Sequence, residues 1–279
     1  MSDNPLRKHF RQPKIYIKLP SQGRWWPEGA LLMTENGELP VMSMTGKDEM
    51  MVKNADALMN GAATTSMIES CLPNIKDAWS TPRTDLDTIL LAIRIATYGP
   101  EMQVESKCPH CNNINDGAID LRWVMENIRQ PDLDAKFVCD DLVLHLKPAD
   151  YRAISQMDQD SYEEQRVIMQ LAQENITTSQ RQTILESAVK TLAQKLGMRL
   201  AESIAKITTD DGDVVTDKIM IADFISNADK NTFDKIRDII GEHTAQYKIP
   251  HMTIKCESCD KSYESNLEFD PANFFAPGS

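Results

Sequence analysis

Two Cys-x-x-Cys turns set far apart constrain this chain more than anything else in it: Cys108-Pro109-His110-Cys111 and Cys256-Glu257-Ser258-Cys259. Each follows an extended run, Met102 to Lys107 before the first and Met252 to Lys255 before the second. Thiolates on one tight turn grip one face of a tetrahedral ion, and a second such turn completes the coordination. The residue after each pair should relax into the left-handed region, where Gly fits best and Asn or Asp comes next. Here those residues are Asn112 and Asp260. The pattern predicts a four-cysteine zinc ribbon built from Cys108, Cys111, Cys256 and Cys259, with one structural Zn2+ per chain. Four thiolates leave no open position for a substrate, so the ion is expected to be structural rather than catalytic. Cys111 and Cys256 are 145 positions apart. Two separate half-sites, or a dimer sharing ions between chains, therefore stay open beside the single tetrad.

With 279 residues the chain can bury one large core or two modest ones. Its formal charge of −12 argues against a broad nucleic-acid footprint, because phosphate binding rests on Lys and Arg. The basic cluster Arg7-Lys8-His9-Phe10-Arg11 is expected to be a solvated arm. No apolar run approaches the ~20 residues of a membrane span. The opening Met-Ser-Asp-Asn-Pro lacks the layout of a secretory signal. Four of the six cysteines stand in Cys-x-x-Cys pairs, which favours metal or redox use in a reducing cytoplasm over disulfides. The thioredoxin reading needs a βαβ context that neither pair has. There is no Gly-rich phosphate loop, His-Glu-x-x-His motif or Ser–His–Asp spacing, so neither catalysis nor a small-molecule substrate is expected.

Along the chain, residues 1–45 read as an extended N-terminal arm, with Lys14 to Leu19 alternating as a strand and a turn at Pro20-Ser21-Gln22-Gly23. Residues 46–100 read as a helical region. In it a helix starts near Thr45, a second covers Thr65 to Cys71, and a third runs from Asp85 to about Thr97 with Thr84 as its cap. The first zinc knuckle takes 101–121. A helical insertion takes 122–250, with a strand near 141–147, and the second knuckle and C-terminus take 251–279. Within the insertion, Ser179-x-x-Gln182 is a capping box for the longest helix. Leu185, Val189, Leu192, Leu196, Leu200, Ile204 and Ile207 share one face of it. The fold class expected is α+β, mainly helical, with a zinc-ribbon-like pair of β-knuckles split by that insertion.

Other residues have plainer readings. His110 is an exposed turn residue, since four thiolates already fill a tetrahedral ion. Cys71 and Cys139 lie outside any ligand spacing and are expected to be buried. Asp210, Asp211 and Asp213 around Gly212 lack the spacing of a calcium loop and read as a solvated turn. Trp25 and Trp26, adjacent in a Pro/Gly-flanked stretch, are the candidate partner-binding residues, because tryptophan is enriched among interface anchors. Anchoring the arm to the chain's own helices is the alternative.

Several segments together resemble one family. They are Leu19-Pro20-Ser21-Gln22-Gly23 followed by aromatics, Lys47-Asp48-Glu49 through Asn60-Gly61, and Arg94-Ile95-Ala96-Thr97-Tyr98-Gly99 before the first knuckle. Ile207 to Asp217 and the terminal Phe274-Phe275 complete the set. In this order they are similar to the baseplate hub and hub-assembly proteins of T-even-like contractile-tailed bacteriophages. The family's usual Gly after each cysteine pair is here Asn112 and Asp260. The resemblance implies a non-enzymatic protein, present in the host cytoplasm during tail assembly and, for a hub subunit, in the virion tail baseplate. Its implied partners are other baseplate or tail proteins. It covers hub subunits and assembly chaperones alike. The rival from another class is a zinc-ribbon nucleic-acid binder, against which the acidic balance speaks.

Overall fold

The computed structural model describes residues 5–171, 182, 195–247, 249, 252–265, 274 and 275. They divide into two compact units. The first comprises 1–130 with 248–279, and the second, 131–247, is an excursion between those two halves.

In the first unit, strand β1 (Pro13–Lys18) pairs antiparallel with β2 (Glu38–Met42). Ile17, Leu19, Leu39 and Val41 are buried, so the strand expected over Lys14 to Leu19 forms and packs as a hairpin. Helix α1 (Gly46–Val52) begins at a capping box: Thr45 Oγ1 accepts from Asp48 N, and Asp48 Oδ2 accepts from Thr45 N at 2.7 Å. Such a cap contributes about 1 kcal/mol. Asp48 is buried and also accepts from Ser70 Oγ at 3.0 Å. Arg11 Nη1 lies 3.5 Å from Asp48 Oδ2. Arg11 further donates to the carbonyls of Ser43 and Ser70, at 2.6 and 2.5 Å. The last residue of the expected solvated basic arm is therefore a strap that ties the N-terminal strand to helix α3 (Ala62–Cys71).

Short α2 (Ala55–Met59) lies between α1 and α3 in the chain, and α4 (Arg83–Tyr98) forms the spine of the unit. Its N-cap is Pro82, with no side-chain cap bond, and not Thr84. Pro fixes its own φ for a helix start and spares a donor, which moves the boundary ahead of the Thr. Thr84 sits inside the first turn, buried, with no hydrogen-bond partner for its hydroxyl among the described residues. Leu86, Ile89 and Ile93 are buried at three-to-four spacing, each worth roughly 1.5–3 kcal/mol. Gly99, at φ 93, ends the helix where a Cβ would be strained. The chain's Phe274 and Phe275 cover the end of α4: the Arg94 guanidinium lies 5.9 Å from the Phe274 ring, and Tyr98 Oη donates to Phe275 O at 3.0 Å. Hairpin β3–β4 (Glu101–Lys107, Ile114–Asp120), helix α5 (Leu121–Glu126) and hairpin β9–β10 (Met252–Lys255, Ser262–Ser265) complete the unit.

The second unit holds an antiparallel sheet of order β5-β6-β7-β8 (Lys136–Cys139, Leu142–Leu146, Ile204–Thr208, Val214–Val215). Among the described residues its helices include α6 (Tyr151–Leu171), α7 (195–202), α8 (Lys218–Asn227) and α9 (Lys230–Ala245). Leu144, Ile204, Ile207, Ile221, Ile225, Ile236 and Ile240 form the centre of one apolar cluster.

The fold class is therefore mixed α+β and not mainly helical: among the described residues ten strands form four antiparallel sheets. The insertion expected to be helical carries the largest of these sheets. Ile204 and Ile207, expected on a helix face, lie in β7, paired with Leu146 and Leu144 of β6. Cross-strand pairing from over 50 positions away overrides their helical spacing, since β preference is largely a matter of context. Leu196 and Leu200 do lie in α7. Ser179, Leu185, Val189 and Leu192 lie outside the described residues.

Candidate metal centre

Both Cys-x-x-Cys turns close antiparallel hairpins, β3–β4 and β9–β10. Within each, two backbone bonds repeat the same pattern. Asn112 N donates to Cys108 O at 2.9 Å, and Asp260 N donates to Cys256 O at 3.0 Å. Cys108 N donates to Asn113 O at 2.9 Å, and Cys256 N donates to Lys261 O at 3.0 Å. Asn112 and Asp260 take φ of 60 and 59, the left-handed turn their short polar side chains tolerate.

The four Sγ atoms lie within 4.8 Å of one another. Cys108 and Cys259 are 3.8 Å apart, and Cys111 and Cys256 are 3.6 Å apart. A tetrahedral ion with zinc–sulfur bonds of about 2.3 Å sets its thiolates about 3.8 Å apart, so the donor set fits. All four cysteines thus come together within one chain.

Burial is graded across the centre. Cys108 and Cys256, the first of each pair, are fully buried; Cys259 is half-buried and Cys111 exposed. Tyr263 and Ile254 pack against the buried side. Polar bonds join the two hairpins directly: Glu257 N donates to Asn115 Oδ1 at 3.0 Å, Asn115 Nδ2 donates to Tyr263 Oη at 3.1 Å, and Ser106 Oγ meets Ser265 Oγ at 2.9 Å. Asn115 and Tyr263 are buried and hold the two turns in register. Their partners lie more than 140 positions away, and no local pattern announces them.

The thiols share their protons unequally. Burial opposes the Cys256 thiolate, but the backbone N–H groups of Cys259 and Ser258 and the thiols of Cys111 and Cys259 bring it down to about 6. Cys111 moves up to about 12: the Asn113 amide favours its thiolate, yet desolvation and its bonds to the other sulfurs hold the proton on. Thiolates this close repel one another, and a divalent cation removes that penalty.

The remaining expected residues fall elsewhere. His110 is exposed and outside the cluster. Cys71 and Cys139 are buried and away from it. The Cys71 thiol is pushed up to about 12, mainly by burial. Trp25 and Trp26 are both half-buried, and Trp26 Nε1 donates to Asp85 Oδ2 at 2.8 Å. Asp210 to Asp213 form the turn between β7 and β8. Among the described residues no helix is long and apolar enough to cross a membrane.

Fold and centre define an α+β protein whose first unit is fastened by a four-cysteine cluster fit for a tetrahedral ion. The family described as T4 bacteriophage base plate protein matches residues 13–276, and the chain belongs to that family. Comparison with curated proteins and with solved structures gives no match. The resemblance carried by the motifs is thus met at the level of a T4-like phage baseplate protein.

Proposed function

We propose that this chain is a non-enzymatic baseplate protein, a subunit of the central hub or a factor that assembles it, and that Cys108, Cys111, Cys256 and Cys259 hold one structural Zn2+. The observation that carries this reading is the tetrad, with sulfur separations of 3.6 and 3.8 Å. An all-thiolate tetrahedral set suits zinc and leaves no open coordination position. The hub assignment draws on the motif resemblance, and the partners are other baseplate or tail proteins. Trp25 and Trp26, both half-buried, are proposed contacts. The setting is the host cytoplasm during assembly and, for a subunit, the tail baseplate.

Elemental analysis of the purified chain is expected to give one zinc per chain, with four thiols protected from a thiol reagent until a chelator is added. Metal-free protein with four reactive thiols would sink the zinc assignment. Mass spectrometry of finished particles and of assembly intermediates then separates the two roles. A fixed low copy number in particles marks a hub subunit, presence in intermediates alone marks an assembly factor, and absence from both refutes the reading.

A further inference from the structure

The two faces of the sheet in the second unit differ sharply. Phe137, Leu144, Ile207 and Val215 align across β5 to β8 and pack into the apolar cluster with α8 and α9. Strand alternation sends their neighbours to the other face. There Val138, Val143, Thr208 and Val214 make one cross-strand row, with Val138 75% and Val214 55% exposed. Beside it Lys136, His145 and Lys206 make a second row. Desolvation, and then Lys206 and Lys136, hold the His145 pKa below its ordinary value. No ion pair reaches Lys136 or Lys206 among the described residues. The unit around this row is acidic, with 21 of the chain's 42 Asp and Glu against 13 of its 30 Lys and Arg.

We propose that this open sheet face docks a protein partner that presents carboxylates beside small apolar side chains. The carboxylates meet Lys136, His145 and Lys206, and the apolar residues cover the valine row. Nucleic acid fits poorly, because its backbone gains nothing from valines and the net acidity of the unit disfavours a uniform polyanion. A few carboxylates on a protein surface are drawn to the row without that penalty. The surface lies in the other unit from the cysteine tetrad and does not rest on the zinc assignment.

The test places a photocross-linking p-benzoylphenylalanine at Val138 of the full chain in infected cells. The expected product is a link to a different protein, at a peptide carrying Asp or Glu next to apolar residues. Lys136→Glu combined with Lys206→Glu should reduce it about tenfold, and Lys206→Gln, a milder change, about threefold. Replacing the linked peptide's carboxylates by lysines should restore it in the doubly reversed chain. Unchanged thermal unfolding of the variants establishes that the loss is one of docking. No link, a link to a second copy or to nucleic acid, or a link indifferent to charge reversal would overturn the proposal.

Discussion

The Sγ atoms of Cys111 and Cys256 lie 3.6 Å apart, although 145 positions separate them in the chain. That gap is too wide for a disulfide at about 2.05 Å and close to the spacing of two ligands on one tetrahedral ion. Cys256→Ser is expected to remove the bound metal and to cost several kcal/mol, since a structural zinc contributes on the order of 10–16 kcal/mol to folding. Trp25, Trp26, Trp79 and Trp123 all lie in the first unit, so tryptophan fluorescence during thermal unfolding reads that loss there. A melting curve and metal content like those of the unaltered chain would count against the centre.

Asp85 is buried, and three donors converge on it: Ser21 N at 2.8 Å, Ser21 Oγ at 2.5 Å and Trp26 Nε1 at 2.8 Å. Burial raises its pKa from 3.8 to about 6, against the pull of those donors. With the folded value above the unfolded one, its contribution is full below pH 3.8 and is lost as pH rises through 6. The difference is roughly 3 kcal/mol. Asp85→Asn puts an amide among donors and should destabilise by about 1–3 kcal/mol at neutral pH. Because only the carboxyl gains from protonation, the deficit should widen as pH falls from 7 to 4, measured by unfolding at each pH. A deficit constant with pH would refute this.

His243 is buried in the second unit, with Nε2 2.6 Å from Tyr247 Oη and the Phe137 ring set edgewise 5.8 Å away. Burial lowers its pKa, and Asp132 opposes the shift only in part. The folded value lies below the unfolded 6.5, so the stabilisation is present above 6.5 and is lost as pH falls through the folded value. The slope there is about 1.4 kcal/mol per pH unit. Hydrogen exchange in α9, corrected for intrinsic rate, should accelerate between pH 7 and 5, and His243→Gln should flatten the dependence. Equal acid sensitivity in both chains would rule the residue out.

Gly197 of α7 faces α8 at close range. A Cβ there would lie 2.3 Å from Ser226 Oγ and 3.0 Å from Ala222 O. Ser226 Oγ cannot swing away freely, because it donates to Ala222 O at 2.7 Å. Gly197→Ala gains helix propensity of about 1 kcal/mol but should destabilise on balance by roughly 1–3 kcal/mol. Chemical denaturation measures the sign, and a stabilised variant would mean the helices part easily.

What the sequence made legible was local. The cysteine turns, their left-handed followers and the start of α1 at Thr45 all rest on spacing within a few residues. What stayed hidden was long-range. The short strand Lys136–Cys139 has a highly exposed Val138 and shows no apolar alternation strong enough to declare it. Ile204 and Ile207 carry a helical spacing that only pairing with β6 overrules. Asn115 joins the two cysteine hairpins through a side chain whose partner lies 148 positions on, at Tyr263. Thr84 had the right residue type for a cap, but the neighbouring Pro82 started the helix first.

The separation of the two cysteine turns also sets a timetable. A chain synthesised at 5–20 residues per second spends about 7–29 s between Cys111 and Cys256. Throughout that interval Cys108 and Cys111 are a half-finished clasp, while every residue of the 131–247 excursion is translated before the clasp can shut. On the proposed zinc assignment, ion capture by the full tetrad is a late event for each new chain, and newly made protein passes through a window in which its first pair of thiols has no partners.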